Sequence, residues 1–269
     1  MQVVYQNQFL EESQISLKTT NRGFLYGDGF FETILFANNR LPHINEHYTR
    51  ITNALTAYEL TPPSFFNSFY LNDIIEELCK KNQLKNARVK IMFWRKEGGF
   101  YTPENDEFDF LISTTPFTPI TNTKEQVLIY KENINIYSSL SEYKPLSASK
   151  YVKAGLFKRK NKLDDIIILG QEGTISEALY SNIFSFKNNK IFTPSIKTGC
   201  VSGVMRSLIL AHTNIVEEVI VNSTEIQSAD AIFTSNALGI QHITQIGNQK
   251  FPKSNITDEL FQQLIGKYF

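Results

Sequence analysis

Residues Thr114–Thr123 read TTPFTPITNT, ten positions with two prolines, five threonines and no charged side chain. Proline fixes φ, removes a backbone donor and pushes the residue before it away from the helical region. Such a stretch suits neither a helix nor a central strand and reads as an extended connection. A chain of 269 residues is long enough for two domains of roughly 100–150 residues each. The connection divides it into 1–118 and 119–269, and the patterns on either side decide the class.

Upstream, Phe30–Phe36 reads as a strand, and Asn38-Asn39 can take the positive φ of a tight hairpin leading into Arg-Leu-Pro as a second strand. Ile44, Tyr48, Ile51, Leu55 and Tyr58 then recur at the spacing of an amphipathic helix that Pro62-Pro63 ends. Phe69–Lys81 reads as another helix, and Arg88–Arg95 and Phe108–Ser113 as strands. Downstream, strands are expected at about 126–134, 165–169, 180–186, 190–193, 217–222 and 230–235, and helices at about 148–162, 203–213 and 256–268. Both halves are therefore expected to be mixed α/β (α+β) domains.

Lys plus Arg and Asp plus Glu both number 27, so overall charge favours neither nucleic acid nor an acidic membrane, and a small-molecule partner is expected. The start of the chain has no basic segment leading into an apolar one, and no apolar run approaches the roughly 18 residues of a membrane span. A cytoplasmic location is expected. Cys79 and Cys200 form no CxxC pair, and His43 and His47 have no HExxH motif or third ligand beside them, so neither a disulfide framework nor a metal site is expected.

Four features carry possible chemistry. In Thr198–Leu210, TGCVSGVMRSLIL, two glycines frame a turn, Ser202 is a candidate N-cap, and the amides of Gly203, Val204 and Met205 would point out of a helix start. Such an end attracts anions, although most bind only water. Arg50 flanks the apolar stripe of the first long helix, either as a surface residue whose stem snorkels over the core or as an inward fork for a phosphate. Among Lys144, Lys150, Lys153, Lys158, Lys160 and Lys162, Lys144 stands apart because Pro145 keeps it ahead of the helix. An enclosed lysine amine can become a nucleophile toward a carbonyl, but periodicity does not say which lysine is enclosed. Glu177, in GQEGTISEALYSNIFSF (Gly170–Phe186), is an acid between strand-like runs, either an ordinary edge or turn charge or a carboxylate aimed at something positive.

Taken in order, these segments resemble the class IV aminotransferases, the fold type IV enzymes that use pyridoxal phosphate. Arg22–Thr33, RGFLYGDGFFET, resembles the family's opening GDGxFE segment, and HYTRI its helix with the phosphate-binding arginine, which falls on Arg50. Lys144–Gly155, KPLSASKYVKAG, is similar without a gap to the family's K-T-L-N-x-L-x-Y-V-L-A segment, which implies that Lys144 carries the cofactor. Ser147 replaces a frequent asparagine there. Glu172–Phe184, EGTISEALYSNIF, implies that Glu177 faces the cofactor's ring nitrogen. TGCVSGVMR resembles the turn whose helix amides, here Val204 and Met205, hold the phosphate, and Asn236 in TSNAL falls where the family supplies another phosphate contact.

The resemblance implies a two-domain fold type IV enzyme and a homodimer, with pyridoxal 5′-phosphate as cofactor and an amino substrate. The compact chain favours 4-amino-4-deoxychorismate lyase, which makes 4-aminobenzoate and pyruvate on the route to folate; a branched-chain or D-amino acid aminotransferase is the alternative. Arg95–Tyr101, RKEGGFY, resembles the R-G-x-G-G-R-G-Y of a lyase of enteric type, with Phe100 in place of the second arginine. Arg95 and Tyr101 are the implied substrate contacts. A non-catalytic binding protein on the same scaffold would need neither Lys144 nor Glu177.

Overall fold

The computed structural model describes residues 1–119 and 123–269, so part of the Thr/Pro connection lies outside the described residues. The chain forms two compact units: Met1–Thr118 with Tyr143–Ser147 and Tyr268–Phe269, and Pro119–Glu142 with Ala148–Lys267.

The first unit contains β1 (Gln2–Tyr5), β2 (Gln8–Glu11), α1 (Arg22–Tyr26), β3 (Gly29–Phe36), α2 (Ile44–Ala57), α3 (Ser68–Lys81), β4 (Ala87–Arg95) and β5 (Phe108–Pro116). The strands form one antiparallel sheet in the order β2-β1-β5-β4-β3. β3 pairs with β4 without interruption from Gly29↔Trp94 to Phe36↔Ala87, so alternate residues of each strand share a face. Phe30, Ile34, Phe36, Val89, Ile91 and Phe93 are buried with Ile51 and Leu55 of α2 and Leu71, Ile75 and Leu78 of α3. These helix positions follow the 3.6-residue period, which buries one stripe of each helix.

Asn38 and Asn39 take the positive φ expected of them, 45° and 60°. The strand expected after them is reduced to one bridge, Ala37↔Arg40, because the chain turns through His43, itself left-handed, into α2. β1, β2 and α1 span only four, four and five residues, too short for periodicity to reveal them.

The segment 143–147 corrects an expectation. Lys144 was expected in the C-terminal domain, but its segment packs with the first unit. Phe31 N donates to Lys144 O at 2.8 Å, Leu146 N donates to Gly29 O at 3.0 Å, and Phe30 and Pro145 form an antiparallel bridge. β3 is the last strand of its sheet, and an edge leaves backbone groups unpaired. The strap satisfies some of them, and its proline is tolerated because no strand among the described residues pairs beyond it.

The second unit contains β6 (Val127–Asn135), α4 (Ser149–Lys160), β7 (Asp165–Gly170), β8 (Ile175–Ala178), β9 (Asn182–Lys187), β10 (Lys190–Pro194), α5 (Val204–His212), β11 (Val216–Val219), β12 (Ala231–Asn236), β13 (Gly239–Ile243), β14 (Gln245–Ile246), β15 (Gln249–Lys250) and α6 (Asn255–Leu264). Two sheets form, β11-β10-β9-β12-β13 and β15-β14-β6-β7-β8. Val127, Ile167, Ile175, Ile183, Ile232 and Ile243 are buried together, drawn from both sheets. β7 is buried along its whole length, as a strand covered on both faces should be. α6 is shorter than expected, ending at Leu264 before a single 3₁₀ turn.

Candidate active site

Glu177 lies inside β8, opposite Ile168 of β7, and is 4% exposed. A carboxylate so enclosed needs donors. Its Oε1 accepts from Asn135 Nδ2 at 2.8 Å and from the Tyr151 hydroxyl at 2.6 Å, while Oε2 accepts from the Val201 amide at 3.1 Å. Although β8 is the last strand of its sheet, Glu177 is therefore not a solvated surface charge.

Three separate elements deliver these donors. Asn135 ends β6, whose pairing with β7 is irregular: Tyr130 stands opposite Ile168 but Ile134 stands opposite Leu169. Such a bulge re-aims the side chains beyond it, and Asn135 is buried against Glu177 and Ser176, whose Oγ also accepts from its Nδ2 at 3.0 Å. α4 contributes Tyr151, and Lys150 beside it donates to Asn135 Oδ1 at 3.0 Å. The Val201 backbone is also held at its carbonyl, where Asn182 Nδ2 donates to Val201 O at 2.7 Å.

The electrostatics follow from this enclosure. Burial, and then the nearby Glu177 charge, push the Tyr151 phenol well above its ordinary range, so it remains an O–H donor. Burial lowers the Lys150 ammonium, and Glu177 pulls in the opposite direction. Burial followed by Glu177 raises the Cys200 thiol to about 11, which leaves it an unreactive thiol at neutral pH.

α5 begins one position later than expected. Gly203, not Ser202, is its N-cap, with extended φ −69° and ψ 138° and no side-chain cap bond; the Ser202 amide instead donates to Glu142 O at 2.9 Å. Val204 and Met205, both buried, are the first helical residues, whose amides have no intrahelical acceptor. A Cβ on Gly203 would lie 2.0 Å from Asn182 Oδ1. Asn236, at the end of β12, donates to Ser181 Oγ at 3.0 Å and to Tyr180 O at 3.3 Å, and accepts from Leu238 N at 2.9 Å. Its neighbour Ser235 is buried, and its Oγ has no hydrogen-bond partner among the described residues.

In the first unit, Arg50 lies along Glu32. Nε donates to Oε2 at 2.9 Å and Nη2 to Oε1, while His47 Nδ1 lies 3.0 Å from the same Oε1. Burial works to raise the Glu32 carboxyl, but the Arg50 charge and the bonds from His47 and Arg50 hold it well below the usual carboxylate range. Burial lowers His47, so a neutral imidazole donates here. Arg50 is thus turned inward, with one edge of its fork fixed on Glu32. Lys144 Nζ lies 5.6 Å from the centre of the Phe31 ring.

Arg95 does not fit the substrate contact expected of it. It is 6% exposed, and its fork is engaged by Asp28, Asp106 and the carbonyls of Tyr58, Glu59 and Asn105. It is a structural anchor between β4 and the loops around it, with its donors committed to the chain. Tyr101 is 90% exposed and packs on Tyr26, with ring centres 5.5 Å apart. Glu32, Asn135 and Tyr151 were not singled out from sequence. Glu32 and Tyr151 lie inside the motif segments, but the role of Asn135 depends on the β6 bulge and has no local signal.

A family model described as amino-transferase class IV matches residues 29–246. An aminodeoxychorismate lyase of Bacillus subtilis is 27% identical over 221 residues, covering 78% of this chain and 73% of that protein. A D-alanine aminotransferase of Bacillus licheniformis is 25% identical over 266 residues, covering 93% of this chain and 89% of that one. The branched-chain aminotransferase of Thermoproteus uzoniensis superposes with a TM-score of 0.89 at 19% identity, over 98% of this chain and 93% of that one, which establishes a shared fold. With the motif segments, the architecture and the family match in agreement, the chain belongs to the class IV aminotransferases, a family of pyridoxal-phosphate-dependent enzymes.

Proposed function

We propose that the chain binds pyridoxal 5′-phosphate and acts as a 4-amino-4-deoxychorismate lyase, releasing pyruvate and 4-aminobenzoate. The observation that carries the cofactor reading is the buried Glu177 carboxylate, which accepts from Asn135, Tyr151 and the Val201 amide. An acid enclosed at that cost suits a permanent partner that can carry a positive charge, such as a pyridine nitrogen. The other end of the cofactor is a phosphate, and the donor set fits it: the uncapped start of α5 offers the Val204 and Met205 amides, and β12, against which α5 packs, holds the unpartnered Ser235 hydroxyl. Asn236 and Arg50 are assigned to the same phosphate.

When bound, the cofactor supplies an electrophilic carbonyl and a ring that accepts electrons. Lys144 Nζ is the amine assigned to hold that carbonyl and, when released from it, to take the proton from substrate Cα. Glu177 keeps a proton on the ring nitrogen. Glu32, backed by His47, orients the Arg50 fork so that its charge is preset before any phosphate arrives. The proposal includes a homodimeric assembly in the cytoplasm.

The lyase reading is supported by the similarity to the Bacillus lyase. The aminotransferase reading is favoured by the fuller coverage of the D-alanine aminotransferase match, 93% of this chain, and by the withdrawal of Arg95 from ligand duty. The deciding assay incubates the cofactor-loaded protein with aminodeoxychorismate, and separately with D-alanine or a branched-chain amino acid plus 2-oxoglutarate. Pyruvate release from aminodeoxychorismate without an amino acceptor is expected. Amino transfer alone overturns the lyase assignment, and failure to bind the cofactor overturns the whole reading.

A further inference from the structure

Lys150 has no role in the chemistry above, yet it is half-buried beside the Glu177 carboxylate. Its ammonium offers only donors, so the Asn135 side chain must turn its carbonyl oxygen toward it, and Nζ–Oδ1 is 3.0 Å. That orientation leaves Asn135 Nδ2 facing Glu177 Oε1 at 2.8 Å. The opposite orientation would set N–H₂ against an ammonium and an oxygen against a carboxylate. Asn135 is 1% exposed, so both ends of its amide are shielded from bulk solvent. A cation on one side of an amide polarises the N–H bonds on the other, and linked hydrogen bonds strengthen one another where the local dielectric is low.

We propose that Lys150 is a positioning residue that acts through Asn135 to set how tightly Glu177 holds a proton shared with a ligand. The proposal rests on the reading of Glu177 as the ring-nitrogen partner. The consequence is electronic: the less tightly the carboxylate draws the shared proton to itself, the more fully that proton stays on the ring nitrogen and the stronger the electron demand of the ring. Tyr151 donates to the same oxygen from α4, at 2.6 Å, and Cys200 approaches from the turn before α5. Tyr151 and Cys200 are both held in their neutral forms by burial and by Glu177 itself. Unlike these two neutral groups, Lys150 brings a positive charge to bear on the carboxylate.

The sign follows from Coulomb's law. A nearby cation favours the carboxylate anion and lowers its hold on a proton, so removing the cation strengthens that hold. In the Lys150→Met variant loaded with pyridoxal 5′-phosphate, the midpoint of the pH titration of the cofactor absorbance should move upward by about half a unit or more. Lys150→Arg, which keeps the charge, should restore most of the wild-type midpoint. In a Glu177→Gln background the effect of Lys150→Met should fall to less than half. An unchanged midpoint in Lys150→Met overturns the proposal, and an undiminished shift in the Glu177→Gln background overturns the route through Glu177.

A second measurement needs no cofactor. Urea unfolding of the wild type, the two single variants Lys150→Met and Glu177→Gln, and the double variant should be non-additive, with Lys150→Met costing less once Glu177 is gone. Additive losses overturn the coupling. If the wild-type protein takes up no pyridoxal phosphate, the proposed function falls while this cycle still decides whether Lys150 and Glu177 act together.

Discussion

Replacing Glu32 by Gln tests the electrostatic centre of the first unit. The Glu32 and Arg50 side chains are 3% and 10% exposed, so their charges face each other with little water to screen them. Removing one member of a buried pair leaves the other charge uncompensated, a loss of about 3–5 kcal/mol. Glutamine keeps the shape and one oxygen acceptor. Whichever way the amide turns, however, its N–H₂ meets either Arg50 Nε or the side shared by Arg50 Nη2 and His47. Retaining one acceptor lowers the expected loss to about 2–4 kcal/mol.

The assay is urea unfolding followed by fluorescence of Trp94, the single tryptophan, which lies in β4 three positions from the residue paired with Glu32. Glu32 titrates low when folded, so its contribution is present above the ordinary carboxylate range and is lost as pH falls through it. His47 is also lowered, so its contribution is present above its unfolded value and declines as pH drops below about 6.5. Wild-type stability should therefore fall with acid through both ranges, and Glu32→Gln should flatten the lower one. A loss below about 1 kcal/mol, the value of an exposed pair, or an unchanged acid slope, refutes the argument.

Lys144→Ala should leave a folded protein in which borohydride no longer fixes pyridoxal phosphate to the chain; mass spectrometry showing fixation still at full yield would transfer the role to another lysine. Glu177→Gln should retain the cofactor while turnover falls by orders of magnitude, as read from single-turnover rates, and near-wild-type rates would remove its electronic role. Gly203→Ala should destabilise by about 1–3 kcal/mol, because the new Cβ would meet Asn182 Oδ1 at 2.0 Å and disturb its bond to Val201. Equilibrium unfolding and a cofactor titration check it together, and unaltered stability with unaltered affinity counts against the tight fit at that helix start.

Local signals in the sequence were sufficient wherever one element carries its own period. The stripe Ile44, Tyr48, Ile51, Leu55 and Tyr58 anticipates α2, and the alternation of Arg88–Arg95 anticipates β4. The Asn38-Asn39 pair anticipates its turn because those side chains tolerate left-handed backbone. The family motifs singled out Lys144, Glu177 and Arg50 as the residues proposed to hold the cofactor, since motif spacing is a property of the chain itself. Tertiary structure decided what those residues touch. The sequence around Lys144 does not say that its strap seals the open edge of β3, because edge pairing joins segments more than a hundred residues apart. Arg95 looked like a ligand contact and proved to be a buried anchor, because Asp28 and Asp106 and the carbonyls that claim it come from separate loops. Glu177 reads as an ordinary acid in one dimension. It becomes an enclosed anion only when a bulge in β6, a turn of α4 and the approach to α5 bring Asn135, Tyr151 and Val201 to it, and hydrogen bonds across such distances leave no periodic trace in the residues that make them.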